Sequence, residues 1–587
     1  MSIKSADLTM PIALEGGRKA RKNMTRARIS LAIFGILVIF SIIAGRLIQL
    51  GVVDVTRLSP GQARAAITAS RPDILDRNGL EMARDIRVPS LFAEPRRIIN
   101  IDEAVEKLSA QLPDLSPKWL RERLDGKEGF VWLKREVTPR EQERIFNLGI
   151  PGIDFVTESK RFYPGGNVAA HILGTVNVDN QGISGVEKFL DRQDLKVLQN
   201  TGLARGRKLE PVSLSVDLRV QYAMHAELTD ALVRYQAIAA AGAIVNIKTG
   251  EVLALVSLPD FDPNVPASAL QKGRFNRISG GTFELGSTFK TVTLAGALDS
   301  GLVKITDSFD ATKGIRFGKY LITDFHGKER VLTLPEVYKY SSNIGTIRIM
   351  QQWGKENYRA FLTKIGFDDP LKIELPETAR SNIPAKFSEV GAATASFGHG
   401  LSITPLHMVS AVAAFVNNGN YVPATLFKRT PAEAEALYKR VISPQTSKYV
   451  RYLMRLNALE GSGRKMNGIA EGYRVGGKTG TADKVVDGRY DSTRNLNAFV
   501  SAFPLDNPRY AMIILVDEPK RENAQSGNTA GWNAGMVTGR IVQRIAPLLG
   551  VLPNFSNMGD LALVPKELAA PAPPDNLAQA GVPIVNN

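Results

Sequence analysis

Cysteine is absent from the 587 residues. That excludes a disulfide framework, a thiol nucleophile, a zinc finger and an iron–sulfur site. Histidine is scarce. The five present are His171, His225, His326, His399 and His407, and no two have the i, i+4 spacing of a helical zinc pair, so neither a metal nor a cofactor is expected. There is no internal repeat at a solenoid period. Nor is there a nucleic-acid motif to account for the net charge of +16, which is partly local: residues 1–28 carry seven basic side chains against Asp7 and Glu15. The rest of the excess is dilute and reads as a solvated surface. With 44% hydrophobic and 22% charged residues the chain is a folded one, not a disordered or collagen-like one.

Long hydrophobic runs are also lacking, with one exception. Ile29 to Gly45 carries no charge, and beyond Arg46, which can snorkel, Leu47 to Val53 extends it. At 1.5 Å per residue this is enough to span a hydrocarbon core of about 30 Å. The apolar region of a cleaved signal peptide is only about 7–15 residues, and Ile43-Ala44-Gly45 is a poor cleavage site. The stretch 29–53 is therefore expected to be an uncleaved transmembrane anchor. The basic flank precedes it, which places 1–28 in the cytoplasm as a tail and everything after about residue 54 outside.

Downstream, Ile74 to Ala83 reads as a hairpin, with Asn78-Gly79 supplying the positive φ angles of a primed turn. Residues 101–112 and 139–148 read as short helices. Ala241–Ile247 and Val252–Val256 flank a Lys248-Thr249-Gly250 turn as a buried hairpin. Thr288 to Asp299 is apolar at helical spacing and stops at Gly301. Asn497–Phe503 and Tyr510–Val516 form another hairpin, and Thr529 to Leu549 reads as a closing helix. Strands first and last around a block of helices predict an antiparallel sheet with helices packed on it. The expected fold is α+β and multidomain: a single N-terminal transmembrane helix, an elongated mixed module over 54–215, a C-terminal module over 216–555, and a flexible Pro/Ala-rich tail over 556–587.

Serine acylation without a histidine partner needs a lysine that can be neutral near the hydroxyl, and Ser-x-x-Lys at a helix start brings the two onto one face. Two matches occur, Ser287–Lys290 and Ser462–Lys465. Enzymes of this type also need Ser-x-Asn, found at 341–343 and 526–528, and Lys-Thr-Gly, found at 248–250 and 478–480. Only Ser287, Ser341 and Lys478 keep the required order. Gly281 to Gly286 is a loop feeding the helix at Ser287, whose N-terminus favours a developing oxyanion. Val475-Gly476-Gly477 precedes Lys478, and its glycines would let a substrate backbone lie close along that strand. Ser462 lies in a glycine-rich loop, and no helix is expected there to align Lys465.

Phe283-Glu-Leu-Gly-Ser-Thr-Phe-Lys290, Ser341-Ser-Asn343 and Gly477-Lys-Thr-Gly-Thr-Ala482 resemble the motifs of penicillin-binding transpeptidases. Upstream, Arg71 to Gly79, Arg161-Phe-Tyr-Pro164 and Gly182 to Glu187 resemble the markers of class B penicillin-binding proteins, most closely the cell-division, FtsI-like branch. Two places depart from the pattern, Pro72 and Asn533 to Met536. The resemblance implies a pedestal or dimerisation module at 54–215 and a transpeptidase domain at 216–555, held at the division septum on the outer face of a bacterial inner membrane. It implies a serine-type D-Ala-D-Ala transpeptidase that acts on peptidoglycan pentapeptide strands and is acylated by β-lactams. A polytopic SEDS-type (FtsW-like) glycosyltransferase and other divisome membrane proteins would be its partners.

The same resemblance assigns roles. Ser287 is the expected nucleophile and Lys290 its base, with its pKa depressed by burial and by Lys478. Ser341 relays a proton to the leaving amine, and Asn343 holds Lys290 and the substrate amide. Lys478, Thr479 and Thr481 hold the terminal carboxylate beside Gly480. The N–H groups of Ser287 and Thr481 form the oxyanion hole. Arg71, Arg161 and Glu187 are expected to join the two modules. An elongation-type transpeptidase and a non-catalytic division scaffold or β-lactam sensor are the alternatives. A hydrolytic β-lactamase would need a further carboxylate, and no Glu-x-x-Leu-Asn lies between the second and third motifs.

Overall fold

The computed structural model describes residues 33–44, 71–192, 209–318 and 320–569. Residues 33–44 are helical, with Ile33, Phe34, Leu37, Phe40 and Ile42 exposed. They are the middle of the expected 29–53 anchor. The rest of that anchor, the 1–28 tail and residues 570–587 lie outside the described residues. Among the described residues no helix is long and apolar enough to cross a membrane.

The first module is built around one long strand. β1 (Ile74–Leu75), β3 (Val131–Lys134) and β4 (Ile153–Phe162) all pair antiparallel with β2 (Glu81–Ala93), while β5 (Val212–Ser213) runs parallel to β1. Helices Ile101–Gln111, Pro117–Leu124 and Pro139–Phe146 close over the far end of β2, burying Leu108, Leu120, Leu124 and Ile145 against Leu91 and Leu133. Asn100, Ser116 and Thr138 cap their N-termini through side-chain oxygens, and the last two helices begin with proline, whose fixed φ suits the first turn.

The turn between β1 and β2 differs from the expected primed form. Gly79 alone has positive φ there (87°), and its N–H donates to Asp76 O at 3.1 Å. Asp76 Oδ1 accepts the N–H groups of Asn78 (2.7 Å) and Leu80 (2.8 Å). This is a type I turn with aspartate first and glycine last, set by the Asp76 carboxylate and not by Asn78.

A buried ion cluster anchors the start of the module. Glu187 receives Arg71 Nε at 2.8 Å and Arg161 Nε at 2.7 Å, and all three side chains are fully buried. Asp191 and Asp85 complete it, at 2.7 Å from Arg71 and 3.1 Å from Arg161. The carbonyl of Pro72 accepts from Arg161 Nη2 (2.9 Å), so the departure at Pro72 costs the cluster no bond. The cluster was expected to join the modules, but all of its members belong to the first. The joint lies one layer out. The Tyr163 N–H donates to Asn264 Oδ1 (3.0 Å), Thr175 Oγ1 to Pro263 O (2.8 Å) and the Gly185 N–H to Glu377 Oε2 (3.1 Å).

The second module centres on five antiparallel strands: β6 (Ala239–Asn246), β7 (Val252–Leu258), β8 (Gly476–Val486), β9 (Arg489–Phe503) and β10 (Tyr510–Asp517), in the order β8-β9-β10-β6-β7. The expected first and last hairpins meet where β6 pairs with β10. Both faces are covered, which is why these strands read as apolar runs without alternation. Phe499, Met512 and Ile514 face α1 (Leu218–Arg234) and the helix Ala534–Ile545. Val500, Ile513 and Leu515 face the other core, which holds α2 (Phe289–Asp299), buried from Phe289 to Leu298. The expected closing helix 529–549 is interrupted: a short turn at Ala530–Trp532 ends at Asn533 (φ −130°, ψ −81°) before Ala534–Ile545 begins. The segment expected as a flexible tail is packed as far as residue 569. Asp560 pairs with Arg455 at 2.7 Å, Ser556 O accepts from Arg474, and Glu567 accepts from Tyr449 OH at 2.7 Å.

Removing one partner of a buried ion cluster leaves charge without compensation, at a cost of about 3–5 kcal/mol. Glu187→Gln is therefore expected to lower the urea midpoint of the first module, followed by tryptophan fluorescence at Trp119 and Trp132. An unchanged midpoint contradicts the cluster's role.

Candidate active site

Ser287 lies in a single 3-10 turn, Gly286–Thr288, that runs directly into α2. Thr288 Oγ1 donates back to Leu285 O (2.8 Å) and fixes the turn. Gly286 has φ 51°, and a Cβ there would fall 2.7 Å from Thr481 O; a Cβ on Gly480 would fall 2.2 Å from Leu285 O. The turn carrying Ser287 and the strand β8 therefore touch backbone to backbone. Ser287 is partly exposed to the cleft, whereas Lys290, one turn later, is fully buried.

The second motif comes to meet Lys290. Lys290 Nζ donates to Ser341 O (2.5 Å) and Asn343 Oδ1 (2.8 Å) and lies 3.1 Å from Ser341 Oγ. Among the described residues these bonds run to the second motif and none reaches Ser287 Oγ. Catalytic hydrogen bonds often close only around a bound substrate. Ser341 holds a left-handed φ of 57°, a strained conformation for a residue with a Cβ. It is imposed from both sides. The Ser341 N–H donates to Tyr338 O (3.2 Å), and Ser342 caps α3 (Asn343–Trp353) by accepting the Gly345 N–H (2.9 Å).

Asp324, which no sequence pattern marks, braces that turn. One of its oxygens accepts Ser342 Oγ (2.6 Å) and the other accepts the Ile344 N–H (2.9 Å). Asn343 Nδ2 donates to Thr323 O (3.1 Å), which turns its Oδ1 toward Lys290.

The third motif lies on β8, the edge strand beside the cleft. Lys478 to Thr481 pair with Val500 to Asn497 on β9, and the opposite edge of β8 has no strand neighbour among the described residues. Lys478 Nζ donates to Ser341 Oγ (3.0 Å), so one hydroxyl stands between two amines. Tyr338 packs beneath, its ring 5.8 Å from Lys478 Nζ and its OH 2.9 Å from Thr291 Oγ1.

The electrostatics follow from burial. Taking Lys478 out of water pulls it down to about 7. Lys290 is driven well below the ordinary lysine range, first by burial and then by Lys478, against a smaller opposing pull from Asp324. His399 is held down to about 4, chiefly by burial, so its ring is neutral. Burial raises the carboxyl of Glu284, which accepts the Gly400 N–H (3.0 Å) and Tyr490 OH (3.2 Å).

Two local expectations are corrected. Gly476 and Gly477 leave room for the protein's own chain, not a substrate. A Cβ at Gly476 would meet Leu505 Cδ1 at 2.1 Å and Met454 C at 2.9 Å, and one at Gly477 would meet Val500 O at 2.4 Å. The second Ser-x-x-Lys does have a helix, Arg464–Ile469, but it carries Lys465 over the Trp532 ring at 3.6 Å. Ser462 Oγ donates to Asn457 Oδ1 (3.1 Å) and lies 2.6 Å from Thr479 Oγ1, while Asn457 Nδ2 donates to Gly477 O (2.7 Å). The decoy serine thus buttresses the third motif.

Thr481 Oγ1 accepts the Ala530 N–H at 3.2 Å. Lys248-Thr249-Gly250 stays a hairpin tip, with Gly250 at φ 72°. Ser526 caps its own turn through Asn523 O at 2.9 Å. Among the described residues no cluster of three or more His, Asp or Glu is arranged to hold a metal ion.

Residues 240–536 match the family model of the penicillin-binding protein transpeptidase domain, and residues 66–207 that of the penicillin-binding protein dimerisation domain. The chain is 37% identical over 494 residues to the probable peptidoglycan D,D-transpeptidase FtsI of Caulobacter vibrioides, covering 83% of this chain and 82% of that one. It is 28% identical over 570 residues to peptidoglycan D,D-transpeptidase FtsI of Escherichia coli, covering 92% and 94%. The crystal structure of penicillin-binding protein 3 from Mycobacterium, complexed with aztreonam, superposes with a TM-score of 0.62 at 23% identity, over 83% of this chain and 98% of that one, and shows the same fold. The order of motifs, the two-module architecture and these matches agree: the chain belongs to the penicillin-binding protein transpeptidase family.

Proposed function

We propose that this chain is a septal peptidoglycan D,D-transpeptidase that works through an acyl-serine. The observation that carries the reading is the setting of Lys290. Two acceptor oxygens, Ser341 O and Asn343 Oδ1, take the two N–H groups of a neutral amine, and burial beside Lys478 keeps it neutral. Its lone pair faces the Ser341 hydroxyl at 3.1 Å, and once that hydroxyl turns away it takes the Ser287 proton as Ser287 Oγ attacks the carbonyl of the penultimate D-Ala. The N–H groups of Ser287 and Thr481 receive the oxyanion, where the two backbones already touch. Ser341, between both lysines, passes the proton to the departing D-Ala amine. Lys478, Thr479 and Thr481 hold the terminal carboxylate beside Gly480. An acceptor amine then releases the acyl group as a cross-link, and a β-lactam traps Ser287 in its place.

The nearby carboxylates support transfer over hydrolysis. Asp324 and Glu284 are both engaged by protein donors and are not set to activate a water. The anchor at 29–53 would tether the modules on the outer face of the inner membrane, beside a polytopic SEDS-type (FtsW-like) glycosyltransferase. Anchoring raises the effective concentration of enzyme and nascent strand.

Ser287→Ala is expected to abolish labelling by fluorescent penicillin, with peptide mass spectrometry placing the wild-type adduct on Ser287; an adduct on Ser462 refutes the assignment. Lys290→Ala should slow acylation by about 10²–10⁴. Acylation should rise with pH as Lys290 loses its proton. Lys478→Met removes a repelling cation, raises the Lys290 pKa and moves that limb to higher pH. Asp324→Asn removes a stabilising anion and moves it lower. Limbs that shift the opposite way, or stay still, exclude Lys290 as the base. Replacing 29–53 with an unrelated span should preserve penicillin binding but lose septal function, leaving filamentous cells. Full complementation by the foreign span would show that tethering alone suffices.

A further inference from the structure

A cavity of about 350 Å³ lies at the joint between the two modules. His171 and Ser184 reach it from the first module, and Phe261, Arg274, Phe275 and Glu377 from the second. None of the three motifs contributes to its walls.

Two of the lining residues carry a buried polar atom without a hydrogen-bond partner, His171 Nε2 and Ser184 Oγ. Native interiors leave few such atoms unpaired. Burial lowers the His171 ring to about 4 and keeps it neutral.

The two charged residues are unspent. Glu377 uses one carboxylate oxygen on the Gly185 N–H (3.1 Å), and Arg274 uses Nη1 on Ser268 O (3.2 Å). Among the described residues neither makes an ion pair, although both line the same space. Phe261 and Phe275 supply apolar wall. A cavity at a domain joint with apolar walls and a few convergent polar groups is the usual form of a small-molecule site.

We propose that this cavity binds a zwitterionic molecule of amino-acid to dipeptide size, with its ammonium on Glu377 and its carboxylate on Arg274. Gly280 also lines the cavity and opens the loop that runs to Ser287. The occupant rests on the pedestal and on the segment leading to the nucleophile at once.

The test is calorimetric titration of the full-length protein in detergent with D-alanine, L-alanine, L-alanyl-L-alanine and L-alanyl-L-phenylalanine. At least one is expected to bind saturably, with a Kd of about 1 mM or tighter. Arg274→Gln and Glu377→Gln should each weaken it by about tenfold or more, since each removes a charge-assisted bond. The amide oxygen introduced by Glu377→Gln can still accept the Gly185 N–H, so an unchanged melting midpoint confirms that this variant is folded. Ser287→Ala and Lys478→Ala should leave binding unchanged, which separates this site from the cleft and from the acylation chemistry. Failure of all four probes to bind overturns the proposal. So does binding that survives both cavity substitutions or disappears with Lys478→Ala.

Discussion

The site depends on the removal of two amines from water around a single hydroxyl. Lys290 and Lys478 are both fully buried, and Ser341 Oγ lies 3.1 Å from one and 3.0 Å from the other. In a dry setting two ammonium ions at this spacing repel strongly, so protonation of one disfavours protonation of the other. The surroundings decide which amine gives way. Both amines meet backbone carbonyls, Lys290 at Ser341 O and Lys478 at Thr479 O, but Lys290 is lowered by burial and by Lys478 together, whereas burial alone lowers Lys478. Asp324, one residue layer behind, moderates the repulsion without entering the cleft.

Bringing these groups together takes distant parts of the chain, and the sheet does that work. The β6–β7 hairpin, from the start of the module, pairs with β10, from its end, and this leaves β8 as an outer strand beside the start of α2. The approach is so close that Gly286 and Gly480 have no room for a methyl group. The strain at Ser341 is local and is held by bonds to Tyr338, Gly345 and Asp324 that lie outside the reacting atoms.

The architecture and three motifs were legible because they rest on local patterns: apolar runs bounded by turns, and short signatures whose order along the chain eliminates the decoys. The structure does bring Lys290, Ser341, Asn343 and Lys478 together. What escaped the sequence depends on contacts across long separations. Asp324 is one aspartate among many until the fold places it against Ser342, and Ser462, set aside as a decoy by motif order, shows its buttressing role only when Thr479 arrives beside it. Gly476 and Gly477 suggested room for a substrate because spacing shows that a side chain is missing, not what fills the gap. In the first turn Asn78-Gly79 looked decisive, yet the Asp76 carboxylate set the geometry. The anchor rests on hydropathy alone, since most of it lies outside the described residues.

The outer edge of β8, which has no strand neighbour among the described residues, would work as a ruler under the proposed function. A peptide laid along it would continue the sheet, and strand geometry allows displacement only in steps. A slip of one residue moves each carbonyl by about 3.4 Å and turns every side chain to the opposite face; a slip of two restores the faces but would carry the bond to be cut about 7 Å away from Ser287. Length along the peptide would thereby be measured from the group that Lys478 and the two threonines are proposed to hold, and the fixed distance from there to the 286–288 turn would determine which carbonyl is presented.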